Sequence, residues 1–188
     1  MLRLFRFVRN SIIGFCNRVK TQGFYTAVIW LFGHGIPKLT GIPFEKYSQI
    51  TPEVYVGPQI HKIGKQKLES WGVNSSVNMR IEYDDVVHKV ALTHHCHLPT
   101  DDGYAPTLGQ LQMGVDFIYQ RITAGNKVYI HCRSGIGRAP TMAIAYFVSQ
   151  GYTLSEAVKM VEKSRPFIQI TQPQIKQLKL FEENQKTV

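Results

Sequence analysis

The stretch VYIHCRSGIGRAP, residues 128–140, constrains the fold more than any other. A β-favouring run, KVYIH (127–131), ends at Cys132, two glycines follow, and Arg138 opens a helical pattern that runs to Gln150 and stops at Gly151. A strand that passes through glycines straight into a helix is a βα unit. Such units put the residue after the strand at the carboxyl edge of the sheet, where α/β proteins bind ligands. Cys132 takes that place.

The same alternation continues on both sides. EVYVG (53–57), VNSSVNM (73–79) and KVALTHHCHL (89–98) read as strands, and GKQKLESWG (64–72) as a helix. Thr107 with Gln110 and Thr153 with Glu156 are capping boxes, opening helices that end near Ala124 and before Pro166. TQPQIKQLKLFEENQ (171–185) reads as a last helix with Pro173 in its first turn. These elements predict a single α/β domain over residues 45–188, a central mixed sheet flanked by helices.

Residues 1–44 are different. The net charge is +9, yet this segment holds six Lys/Arg and no acid, the first being Glu45. Basic and apolar residues alternate over 2–20 as in a basic amphipathic helix, FYTAVIWLF (24–32) reads as a short helix, and GHGIPKLTGIP (33–43) as a linker. Three roles stay open for this extension: an anchor on a membrane surface, a mitochondrial-type targeting peptide, or a segment packed on the domain. No run is apolar enough to span a bilayer, and no motif accompanies the basic excess to suggest nucleic acid. Three cysteines form no disulfide framework and fit a reducing, cytoplasmic setting.

The chemistry of 131–138 points to phosphate. A helix N-terminus favours an anion there, Gly135 and Gly137 let backbone amides curl into an anion nest, and Arg138 can grip two phosphate oxygens at once. The same three features favour the thiolate of Cys132, which is the nucleophilic form. Transfer of phosphate to sulfur needs a proton for the leaving oxygen, and PTDDG (99–103) offers Asp101 and Asp102 on a loop leaving a strand. HHCH (94–97) suggests a metal, but alternate strand residues face opposite ways, so no metal or cofactor is expected. Cys96 as a redox partner of Cys132 would need a close approach.

HCRSGIGRAPTMAIAYFVSQGYTLSEAVKMVEKSRP and LPTDDGYAPTLGQLQMGVDFI resemble the signature and acid loop of cysteine-dependent protein tyrosine phosphatases, the dual-specificity group above all. The resemblance runs from about Ile50 to Glu183. It implies a phosphomonoester hydrolase with Cys132 as nucleophile, Arg138 as phosphate clamp, Asp102 as general acid with Asp101 the alternative, and His131 tuning the thiolate. Arg133, Ser134, Gly135, Ile136 and Gly137 would cradle phosphate. The expected substrates are phosphotyrosine, phosphoserine and phosphothreonine in proteins, with lipid phosphate at a membrane as the alternative; a catalytically quiet phosphate-binding module is the other. Arg133 could meet a second phosphate. The departure is Ala139, where the superfamily mostly has Ser or Thr to assist the second step, so slow turnover after a burst is expected.

Overall fold

The computed structural model describes the backbone of residues 2–186 and the side chains of Arg9 and of 12–186. Its sheet contains β1 (Val54–Gly57), β2 (Val73–Arg80), β3 (His94–Thr100) and β4 (Lys127–His131) in the order β1-β4-β2-β3. All three pairings are parallel, where a mixed sheet was expected. The antiparallel element reduces to the single bridge Gln49–Tyr55, because the chain before β1 supplies one residue of pairing and no strand. Parallel direction has one consequence for function: Gly57, Arg80, Thr100 and His131, the last residues of the four strands, share one edge of the sheet.

Side-chain alternation decides the two faces. Val54, Val56, Val77, Met79, Val128 and Ile130 form one core with the helices α5 (Leu108–Thr123), α6 (Arg138–Ser149), α7 (Leu154–Ser164) and α8 (Gln172–Gln185). Tyr55, Val73 and Tyr129 turn the other way, toward Leu68 of α4 (Lys62–Ser70), where Trp71 stacks on Tyr55. Helix α6 is buried from Arg138 through Val148, as befits an all-round apolar helix at the centre of a layer. The capping boxes at Thr107 and Thr153 both form, and Thr171 with Gln174 makes a third.

Two expected elements differ. Strand β3 starts at His94 rather than at Lys89. The carbonyl of Asp85 accepts from Val90 N (2.8 Å) and Ala91 N (3.1 Å), which curls this segment into a turn with Lys89 at φ 58°. Val90 and Leu92 are buried as anchors of a loop, not as strand residues. The supposed linker 33–43 is helical over most of its length. Helix α1 (Leu2–Gln22) and α2 (Phe24–Trp30) run on through a π-turn, Leu31–Gly35, into α3 (Ile36–Thr40). Pro37 sits in the first turn of α3, where its fixed φ suits the helix, and Gly33 is there for space: a Cβ would lie 2.5 Å from the ring of Phe167. The expected amphipathic face of 2–20 rests in part on Leu2, Arg3, Leu4, Phe5, Arg6, Phe7 and Val8, whose side chains lie outside the described ones.

Residues 12–41 pack on the domain. Phe15 meets Phe24 edge to face, the guanidinium of Arg18 lies 5.2 Å over the Trp30 ring, and Ile29 and Trp30 bury against Phe167 with Ile136 beside them. No helix among the described residues is long and apolar enough to cross a membrane.

Candidate active site

Cys132 follows β4 directly and is 3% exposed. The loop after it folds back so that Gly135 N donates to Cys132 Sγ at 3.2 Å. Gly135 is obligatory twice over: its φ is 65°, and a Cβ would come within 2.5 Å of the Gly57 backbone. Ser134, Ile136 and Gly137 complete the turn, and Arg133 projects from it into solvent. Ile136 O accepts from Gln169 N at 2.9 Å, which fastens the loop to the segment after α7.

Arg138, at the start of α6, is 1% exposed and turns its guanidinium under the loop. Nη1 donates to Thr100 O (2.7 Å) and to Glu82 Oε2 (2.9 Å), while Nη2 donates to Glu82 Oε1 (3.1 Å). Asp102 Oδ1 stands 3.2 Å from Nη2. The remaining donor, Nε, is buried without a partner. A buried guanidinium N–H left open beside a thiol and a ring of backbone amides fits a phosphate oxygen. The hydrogen bond from Arg138 holds Glu82 well below the usual carboxylate range, at about 2, against the opposing effect of burial.

His131 is fully buried and stacks on Tyr129. Its Nε2 lies 2.7 Å from Asp85 Oδ2, off the straight line of a hydrogen bond. Asp85 is 4% exposed and also accepts from Gln59 Nε2 at 2.8 Å. Burial pushes its pKa up, but His131 and Gln59 together outweigh that and keep it lowered. Gln59 in turn accepts from Arg80 Nη1 (3.1 Å), and Arg80 Nε donates to Glu82 (2.9 Å). A continuous polar chain therefore runs from His131 through Asp85, Gln59, Arg80 and Glu82 to Arg138.

Of the two loop acids, Asp102 is the one whose carboxylate reaches Arg138; its side chain is 68% exposed, so it also meets water. Asp101 is exposed, and its carbonyl accepts from Tyr104 N. The acid loop is tied down from α8: Thr171 Oγ1 donates to Gly103 O and Gln174 Nε2 to Tyr104 O, both at 2.9 Å. Beneath the phosphate loop lies Arg165, fully buried, which donates through Nε and Nη2 to Gly135 O, through Nη2 to Gly33 O and through Nη1 to Tyr47 O. Burial lowers its pKa to about 10. From the N-terminal segment, His34 Nδ1 lies 3.1 Å from Ser134 O.

Sequence reading brought together Cys132, His131, Arg138 and Asp102, and missed Glu82, Asp85, Arg165 and His34. The signal for the first two was an acidic run, IEYDD, just past a strand's carboxyl end. Arg165 and His34 had none, because their partners are carbonyls distant in the chain. The disulfide idea fails on geometry. Cys96 pairs with Val77, which pairs with Ile130, so it sits two strands from β4, roughly 10 Å away and beyond disulfide reach. Among the described residues no group of three or more His, Cys, Asp or Glu could hold a metal, and His97 gives its Nε2 to the Arg80 carbonyl at 2.6 Å.

The family model for the dual specificity phosphatase catalytic domain matches residues 54–184. The human phosphatidylglycerophosphatase and protein-tyrosine phosphatase 1 is 30% identical over 145 residues, 72% of this chain and 72% of its own length. The tyrosine-protein phosphatase vhp-1 of Caenorhabditis elegans is 30% identical over 121 residues, 63% of this chain but only 18% of that much longer protein. A solved structure of PTPMT1 in complex with PI(5)P superposes with a TM-score of 0.69 at 27% identity, covering 74% of this chain and 96% of the other.

Proposed function

The chain belongs to the dual specificity phosphatase family, and on that footing we propose that it hydrolyses phosphate monoesters through a phosphocysteine intermediate. The observation that carries this is the buried Arg138, bracketed by Glu82 and Asp102, with one donor left open beside Cys132. The thiolate of Cys132 attacks phosphorus, and the bond from phosphorus to the leaving oxygen breaks. Asp102 gives that oxygen its proton. Arg138 and the amides of 133–137 hold the equatorial oxygens as charge builds on them. Asp102, now a carboxylate, takes a proton from water; the water oxygen bonds to phosphorus, the P–S bond breaks, and inorganic phosphate leaves with the thiolate restored.

For the substrate we favour the phosphate of a phospholipid headgroup. The support is the acid-free N-terminal segment, which meets the phosphate loop through His34 and exposes apolar and basic side chains of its own: Ile12, Ile13, Phe24 and Tyr25 with Arg9 and Lys20. That surface suits an anionic membrane. Relatives named as phosphatidylglycerophosphatases and a neighbour solved with PI(5)P agree with it. Phosphoprotein is the second reading, favoured by relatives named dual specificity protein phosphatases that match over 64% of the chain.

A stopped-flow time course on 4-nitrophenyl phosphate tests the chemistry. A burst equal to the enzyme concentration, lost in Cys132→Ser, is the expected result. Steady hydrolysis that survives in Cys132→Ser would overturn the phosphocysteine route.

A further inference from the structure

The N-terminal segment does more than pack. His34 is fixed on the phosphate loop through Ser134 O, and Trp30 and Leu31 lie near Ile136 in the same cluster. One helical turn beyond His34 comes Lys38, four residues on and so on the same side of the helix. One residue before Ser134 comes Arg133. The two cations therefore flank the contact between His34 and Ser134 at the edge of the phosphate loop. Partial desolvation, and then the charge of Arg133, lower the pKa of Lys38, while the charge of Asp102 acts the other way. Both side chains belong to exposed residues, and among the described residues neither forms an ion pair. Glu82 and Asp102 are already engaged by Arg138. Two neighbouring positive charges that no ion pair neutralises are mutually unfavourable, and an anion set between them removes that cost.

We propose that Lys38 and Arg133 form a second anion subsite at the rim, making Lys38 a specificity-determining residue for phosphomonoesters that carry a second anionic group. The chemical class is a headgroup with a terminal phosphate monoester and a phosphodiester a few bonds away, as in a phosphorylated glycerolipid. The monoester sits over Cys132 and the diester oxygens meet the two cations. This rests on the reading of Cys132 and Arg138 as the phosphate site. It adds that the chain before residue 45 contributes a substrate-contacting side chain.

The test is the ratio of kcat/KM for monomeric short-chain phosphatidylglycerophosphate over that for 4-nitrophenyl phosphate. It is measured in the full chain for wild type, Lys38→Ala, Lys38→Arg and Lys38→Glu. The expected ratio falls about tenfold in Lys38→Ala, through KM, as for one lost charge-assisted contact. It is largely restored by Lys38→Arg and falls further in Lys38→Glu. A ratio that does not move, or Lys38→Arg behaving as Lys38→Ala, would overturn the proposal. So would a ratio that falls only for a doubly phosphorylated peptide, which would assign the rim to phosphoprotein. The same comparison read as Kd in the Cys132→Ser protein, with glycerol 1,3-bisphosphate against glycerol 3-phosphate, keeps the result independent of turnover. Loss of the burst in wild type would indict the phosphocysteine reading; an intact burst with an unmoved ratio would indict the subsite alone.

Discussion

Ala139 is fully buried in the first turn of α6, one residue past the phosphate clamp. The nearest hydroxyl along the helix, Thr141, donates to Gly137 O at 2.9 Å and is not free to replace the missing one. Ala139→Ser is expected to raise the steady-state rate after the burst about tenfold, the size of one hydrogen bond to a charged group, with the burst amplitude unchanged. Stopped-flow traces on an aryl phosphate would show it, and a slow phase no faster than wild type would count against a rate-limiting second step. Asp102→Asn should cost about 10²-fold or more on an alkyl phosphate, whose leaving oxygen must be protonated, and less on 4-nitrophenyl phosphate. Equal losses on both would remove Asp102 from the acid role. Residues of this kind are legible in a sequence when their partners are close in the chain: Cys132 and Arg138 lie on one loop, and strand, glycines and helix declare its shape. Asp102 was ambiguous with Asp101 because neighbouring loop acids have no periodicity to separate them.

The loop that follows β2, residues 81–93, is the element the sequence least disclosed. It delivers Glu82 to Arg138 and Asp85 to His131, and its own shape depends on Asp85 O capturing Val90 and Ala91. Apolar Val90 and Leu92 imitate a strand, and only the tertiary fold shows that they are pegs. Asp85→Asn leaves the fully buried ring of His131 without its carboxylate partner and is expected to cost about 3 kcal/mol in urea unfolding. Glu82 gives a pH signature. Its folded pKa of about 2 lies below the ordinary 4.5. Its pairing therefore stabilises the fold fully above about pH 4.5, and that stability is lost as pH falls toward 2. The side chain is 37% exposed, so screening limits the effect to about 1 kcal/mol. Unfolding midpoints taken from pH 6 to pH 3 should fall more steeply in wild type than in Glu82→Gln; parallel curves would contradict this.

At the scale of the whole molecule, the α/β layering was legible as alternating strands and helices, while the all-parallel direction of the sheet and the fit of the N-terminal segment were not. Gly33, His34, Gly35 and Pro37 read as punctuation, and only contact with Phe167 and the phosphate loop turns them into a helical wall. The surface they carry makes a bulk prediction. Sedimentation with anionic vesicles should bind the chain at low salt and release it as salt rises to about 0.5 M, where the Debye length is a few ångströms. Ile13→Asp should weaken that binding, and indifference to both would exclude the membrane surface. The buried guanidinium of Arg165 divides the segment in two. Before the exposed Gly23, at φ 85°, the described side chains of Phe15 and Arg18 reach toward Phe167, whereas Gly33 shares one cation with the catalytic loop. A protease that trims the chain near Gly23 would yield a smaller, still competent enzyme. A cut after Gly41 would take Gly33 and His34 away from the catalytic loop and is expected to silence it, so trimming from this end is tolerated only up to the segment that Arg165 holds.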